Sequence, residues 1–343
     1  MKRKGNLFSQ IVSTENLRGA IHDACKGKSS YSNVQYIKEH LDEHVEKLRT
    51  MLMYDDYTVA QYRQKKIHEP KERLISILPL FPDRVIQHAI MRVVEPHWDS
   101  LMIKDSYSCR KGKGQHAGSI TCMRYCTKYK YVLKCDISKF YPSLDHVTLK
   151  GIIRRKIKDY RLLNLIDKII DSYGHGVGVP IGSYLSQWLG NLYMNELDMC
   201  LKHTHRRKAY IRYCDDFVIF SNEKADMRYM QCVVKAFCAK LHLRMSKCEY
   251  FPTAHGIDFL GYRHFPDGKI LLRKRTAKRF RTQVNTLEVG LRKQRIPLVS
   301  ARSKVASMHG WLKHANTHNF AKSLRLDALK EIIDEGISKA SQH

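Results

Sequence analysis

Residues 209–220 read Ala-Tyr-Ile-Arg-Tyr-Cys-Asp-Asp-Phe-Val-Ile-Phe, two short apolar runs broken by Asp215 and Asp216. Tyr, Ile, Phe and Val favour pleated, half-buried surfaces, so the pattern predicts two strands meeting at an acidic turn. Adjacent carboxylates repel each other and give up water poorly. A divalent cation relieves both costs, and hard oxygen ligands suit Mg²⁺. A purely structural Asp-Asp turn is the competing reading, because acids are common in turns.

A second acid weighs against that competitor. Tyr131-Val-Leu-Lys-Cys-Asp136 is another apolar run ending on a carboxylate, 79 residues before Asp215. An acid at the end of each of two neighbouring strands can set three carboxylates around two metals about 4 Å apart. Phosphoryl transfer asks for little beyond such positioning and charge stabilisation.

Around these strands the apolar spacing predicts helices. One stripe runs through 34–53, on Val34, Ile37, Leu41, Val45, Leu48 and Leu52. A helix from about Asp83 is expected to end at Val94, ahead of Pro96. Residues 73–78 read as a strand and 104–118 as a basic, glycine-containing loop that enters a helix. Helical stretches are predicted over 145–172 and 224–241. Another follows the glycine-rich loop Gly174–Gly182, with Leu185, Trp188, Leu189 and Leu192 on one face. Strands are expected near 257–263 and 269–272, and from Arg273 the chain turns helical and basic. This order suits an α+β fold, an antiparallel sheet backed by helices.

Composition narrows the partners. Lys plus Arg number 61 against 33 Asp plus Glu, a formal charge of +28 over 343 residues. That excess favours a polyanion, nucleic acid above all, over a generic charged surface. No run approaches the roughly 18 apolar residues of a membrane span, and no secretory signal is expected. The ten cysteines form no CxxC pair; Cys122 and Cys126 suit one helical face but lack a second pair for zinc. All are expected to be reduced cytosolic thiols.

Over about residues 70–265 the ordered segments resemble the motifs of reverse transcriptases. The resemblance implies a right-hand polymerase. Residues 1–130 would be fingers with an N-terminal extension, 131–268 the palm with its acids, and 269–343 a basic helical thumb. It implies two Mg²⁺ ions held at Asp136, Asp215 and Asp216, with Ile137 among the metal-holding positions. Arg110, with Lys111 and Lys113, looks like the basic group on the incoming triphosphate; Arg73 is placed near the same pocket. Tyr141 looks like the aromatic gate against a ribose 2′-hydroxyl, Lys247 like the lysine near pyrophosphate, and Phe259-Leu260-Gly261-Tyr262 like the primer grip. Template backbone for Arg110, core packing for Tyr141 and a solvated surface for Lys247 stay open as alternatives.

One segment departs from most of the family. Where QGxxxSP is usual, this chain has Ile181-Gly182-Ser-Tyr-Leu-Ser186-Gln187. That pair of changes resembles the reverse transcriptases of diversity-generating retroelements, as do SYSCRKGKGQHAG and Gly310-Trp311-Leu-Lys-His-Ala315. An isoleucine offers shape where a glutamine amide offers hydrogen bonds. Losing about 1–3 kcal/mol of polar discrimination relaxes selection roughly ten- to a hundredfold. The implied activity is error-prone copying opposite template adenines, with Ile181, Gly182 and Gln187 at the nucleotide. The implied partners are dNTPs, a structured template RNA, its nascent cDNA and a small basic ring-forming accessory variability protein, in a bacterial or phage-encoded cytoplasmic setting. No RNase H or endonuclease domain is expected. A retron-like or group II intron-like enzyme of ordinary fidelity is the nearest rival, and a non-catalytic RNA-binding scaffold the more distant one.

Overall fold

The computed structural model describes residues 3–68 and 72–340. In chain order it contains α1 (Phe8–Ile11), α2 (Thr14–Cys25), α3 (Ser32–Glu39), α4 (Leu41–Met53), β1 (Arg63–Ile67), β2 (Arg73–Ile77), α5 (Val85–Leu101), α6 (Gln115–Cys126), β3 (Tyr131–Ile137), α7 (His146–Arg154), α8 (Tyr160–Asp171) and α9 (Tyr184–Met199). There follow β4 (Tyr210–Tyr213), β5 (Asp216–Ser221), α10 (Lys224–Lys240), β6 (Met245–Pro252), β7 (Ile257–Phe259), β8 (Tyr262–His264), β9 (Ile270–Leu272), α11 (Lys274–Arg292), α12 (Leu298–Lys313), α13 (His318–Ser323) and α14 (Leu326–Ala340). The α+β class expected from the sequence is the one observed. β1 pairs with β2, β4 with β5, and β8 with both β7 and β9, all antiparallel. One sheet has the order β4-β5-β3-β6. None of the described helices is long and apolar enough to cross a membrane, and all ten cysteines are free thiols.

The chain forms two compact, discontinuous units: residues 1–111, 135–208 and 232–248 in the first, 112–134, 209–231 and 249–343 in the second. In the first, α2 packs on α5, which also packs on α9. Asn16 donates to the Ala89 carbonyl at 3.1 Å, and Arg92 ion-pairs with Asp23. Helix starts are set by side-chain caps on orphan N–H groups: Asp145 on Thr148 N, Asp159 on Leu162 N and Ser183 on Ser186 N. The other oxygen of Asp159 accepts from Leu7 N and Phe8 N at 2.7 and 2.8 Å, which ties down the N-terminal segment. In the second unit, α11, α12 and α14 enclose Phe280, Val284, Leu287, Val305, Met308 and Ile333. Each such side chain contributes roughly 1.5–3 kcal/mol by leaving water.

Several boundaries differ from the sequence reading. The stripe over 34–53 is two helices, because His40 leaves helical dihedrals (φ −110°, ψ 43°) between them. Helix α5 runs through Pro96 to Leu101. A proline inside a helix costs about 3 kcal/mol, but Trp98 and Leu101 beyond it are buried and offset that loss. Residues 145–172 split into α7 and α8, since the intervening backbone pairs with Lys4 and Asp159 must cap a new helix. The run 257–263 is two strands and a turn, and β1 and β6 were not foreseen.

Candidate active site

The acidic turn is built by β4 and β5, in register from Tyr210↔Ile219 to Tyr213↔Asp216. Only Cys214 and Asp215 remain to reverse the chain, and Cys214 adopts φ +57°, a left-handed conformation rare outside glycine. Arg212, fully buried, donates to the Cys214 carbonyl at 3.1 Å and braces the turn from inside. Asp215 and Asp216 are half-buried. Lys134 of β3 brings its ammonium to 3.7 Å from Asp216 Oδ1. The same ammonium donates to the Asp258 carbonyl and lies 5.9 Å from the Phe259 ring centroid. A lysine whose side chain is 10% exposed is costly unless paired, and here it meets a carboxylate, a carbonyl and a ring face. Neither Lys134 nor Arg212 was singled out from the sequence; a cation inside an apolar strand is the signal that marks both.

Asp136, one residue before the end of β3 and itself in the first unit, is half-buried, with Oδ2 accepting from the Ser246 hydroxyl. Ser138 N donates to the Arg244 carbonyl at 2.8 Å, fixing the start of β6 beside it. Lys247, next in β6, is exposed. Ile137 is buried. Among the described residues no cluster of three or more His, Cys, Asp or Glu side chains is assembled as a metal cage. The side-chain donors of Asp136, Asp215 and Asp216 are nevertheless carboxylate oxygens, and Ile137 can offer only its backbone carbonyl; both are ligand types that Mg²⁺ takes.

The residues expected around the nucleotide lie mostly in the first unit. Tyr141 opens a short turn after Lys139 (φ +45°), and its ring lies against α9 at Gly190. A Cβ on Gly190 would fall 3.1 Å from Tyr141 Cε1 and 2.9 Å from Phe140 Cε1, so only glycine admits both rings. The Ile181 carbonyl accepts from Ser76 N of β2 at 3.0 Å. Gly182 (φ +106°) presses on β2 so closely that a Cβ would sit 2.7 Å from Ile75 Cγ2. Gln187 is exposed on the first turn of α9, and Arg73 is exposed on β2. Lys111 is exposed and ends the first unit, whereas half-buried Lys113 belongs to the second.

Arg110, expected at the triphosphate, is turned inward. Its side chain is 9% exposed and ion-paired to Asp99. It also donates to the Ile103 and Ser106 carbonyls at 2.7 and 3.1 Å and to the Asp99 carbonyl at 3.3 Å. These bonds close the 99–110 loop.

Phe259 and Tyr262 pair across the β7–β8 hairpin and are fully buried. Leu260 (φ +54°) and Gly261 (φ +82°) form its two-residue turn, the mirror-image geometry that suits a twisted hairpin. Trp311 of α12 covers this turn: a Cβ on Gly261 would lie 2.6 Å from Trp311 Cζ3. Tyr262 donates its hydroxyl proton to the Trp311 carbonyl at 3.2 Å, and His116 Nε2 lies 3.0 Å from the same hydroxyl. His314 stacks on His116 at 4.4 Å and reaches Ser119 Oγ at 2.9 Å; Ser119 meets His264 Nε2 at 2.7 Å. Burial pushes the His264 pKa down to about 4. The run Gly310–Ala315 thereby acquires a structural role, a clamp on the 259–262 turn.

A family model described as reverse transcriptase (RNA-dependent DNA polymerase) matches residues 63–264. Protein YkfC of Escherichia coli (strain K12) is 27% identical over 279 residues, 67% of this chain and 71% of its own length. The group II intron-encoded protein LtrA of Lactococcus lactis subsp. cremoris is 27% identical over 229 residues, 64% of this chain. The chain spans only 36% of that relative. A solved apo telomerase of Candida tropicalis, truncated from its C-terminal domain, aligns with a TM-score of 0.47 and 12% identity over 65% of this chain and 58% of that one.

Proposed function

We infer the function from one premise: the chain belongs to the reverse transcriptase (RNA-dependent DNA polymerase) family, whose model covers more than half of it. It is an RNA-directed DNA polymerase that takes template RNA and dNTPs. In our reading Asp136, Asp215 and Asp216, with Ile137 beside them, hold two Mg²⁺ ions. The observation that carries this is the adjacent carboxylate pair at the tip of the β4–β5 hairpin, braced by Arg212 and faced by Lys134. When bound, the metals supply Lewis acidity and charge neutralisation at the primer hydroxyl and the triphosphate.

The chain's own residues do the rest. Tyr141, held on α9, presents a ring edge that a 2′-hydroxyl would strike. Ile181 and Gly182 shape one wall of the nucleotide pocket, flanked by Arg73 and Gln187. Lys111, Lys113 and Lys247 supply positive charge for phosphates. The 259–262 turn seats the primer end. Residues 1–130, 131–268 and 269–343 then serve as fingers, palm and thumb.

The finer reading is a mutagenic enzyme of a diversity-generating retroelement, working in a bacterial cytoplasm on template RNA with a ring-forming accessory protein. The Ile181…Gln187 departure supports it. The intron-encoded relatives favour a second reading, an enzyme of ordinary fidelity. Labelled dNTP incorporation on primed RNA tests the polymerase itself: the protein should extend the primer, and Asp215→Ala should reduce extension to background. Sequencing the cDNA separates the two finer readings. Errors concentrated opposite template adenine, and fewer of them in Ile181→Gln, support the first; a flat, low error spectrum supports the second.

A further inference from the structure

A partly buried cation outside the residues named so far is a further candidate for a phosphate. The first unit contains a cavity of about 340 Å³ between β2, α5 and the start of α9. Tyr62, Ser76, Arg84, Gln87, Ser183 and Gln187 supply its polar lining, Gly182 forms part of the wall, and among the described residues no acidic one lines it. Arg84 is half-buried and makes no ion pair among the described residues. A partly desolvated guanidinium without a counter-charge is costly, and the usual remedy is an anion from outside.

The neighbouring titratable groups respond to burial and to the positive charge here. Burial and then the nearby Arg84 charge lower the Lys28 pKa. His88, which also lines the cavity, is held below its ordinary value by burial first and by Arg84, Lys28 and Arg92, with Asp23 opposing.

Gln87 provides the second half of the argument. It is 3% exposed, and its Oε1 accepts from Ser183 Oγ at 2.8 Å. Ser183 already uses its oxygen to cap α9, accepting from Ser186 N at 3.3 Å. Its single proton therefore goes to Gln87, which fixes the amide with Oε1 toward Ser183. The Nε2 group, with two donors, is left to the cavity. A void of this size is at the small end of ligand pockets.

We propose that this cavity is a nucleotide site in which Arg84 takes a phosphate and the Gln87 amide donates to an acceptor on the same nucleotide. The nucleotide is either the free dNTP or a unit of the bound strand; both present a phosphate beside a hydrogen-bonding base. The inference rests on the polymerase reading and adds Arg84 and Gln87 to it as binding and specificity residues.

The test compares the unaltered 343-residue protein with Arg84→Gln, Arg84→Lys and Gln87→Met. Three quantities are measured: the dNTP KM, the Kd for primed RNA, and thermal stability. Arg84→Gln should weaken one of the two constants about tenfold or more, with Arg84→Lys recovering part of the loss. Gln87→Met should weaken the same constant. A change in KM alone identifies the free nucleotide, and a change in Kd alone identifies the strand. Unchanged constants in stably folded Arg84→Gln and Gln87→Met would overturn the site. If the unaltered protein incorporates nothing, the polymerase reading fails by itself. The site is then judged by direct binding of dATP and primed RNA to the same variants, with unchanged binding overturning it.

Discussion

Replacing Arg110 by glutamine is expected to lower stability by roughly 2–3 kcal/mol, because Asp99 loses its partner and several carbonyls lose their donor. The figure lies below that for a fully buried pair, since Asp99 is 43% exposed and water takes up part of its charge. Chemical denaturation of Arg110→Gln measures the loss. A raised dNTP KM at unchanged stability would instead restore Arg110 to the triphosphate. This residue shows where the sequence stopped being legible. A basic residue in a glycine-containing loop has the right type for a phosphate ligand, but Asp99, eleven positions away, decides where its donors point. The acids could be read because type and place coincide, a carboxylate where an apolar run ends. Lys134 leaves only the weaker signal of a cation inside an apolar strand, because its burial depends on the Asp258–Phe259 strand folding over it. Gly190 was missed likewise: its reason is the pair of rings packed against it.

Among the elements, β8 carries the pH-sensitive group. His264 faces Ser119 of α6, the Ile257 carbonyl and Asp258 of β7, Lys134 of β3, and His314 of α12. Burial holds it neutral in the fold, with a pKa near 4 against 6.5 for the free group. Protons therefore bind the unfolded chain first. The stability tied to a neutral His264 is present above pH 6.5, falls as pH drops from there, and is gone below about pH 4, a loss of about 3 kcal/mol. Circular dichroism melts at pH 7, 5.5 and 4 measure it, and His264→Gln should flatten that part of the profile; parallel profiles would refute the assignment. At this scale helices and strands were legible wherever spacing was regular, as in β4, β5, α9 and α10. Their ends were not. Pro96 looked like a stop until the buried Trp98 beyond it was seen, and the break at His40 lies inside an unbroken apolar stripe.

For the molecule as a whole, the +28 charge predicts binding to primed RNA that is steep in salt. If six to ten phosphates are neutralised, affinity should fall about 10³- to 10⁵-fold between 50 and 200 mM salt. A fluorescence-anisotropy titration at several salt concentrations gives the slope, and a flat response would remove nucleic acid as the reason for the charge. Composition revealed the partner class, but the division into two interleaved units was invisible. Each unit gathers three separate stretches of chain, and contacts between such distant stretches leave no local pattern. The chain has three tryptophans. Trp98 and Trp188 lie sealed in the first unit, and Trp311, capping the Gly261 turn, is alone in the second. The protein thus carries its own optical labels. In a Trp311→Phe background the emission reports one unit only, and with Trp98 and Trp188 changed to Phe it reports the other. Whether the halves melt together or in sequence can then be observed without any attached dye.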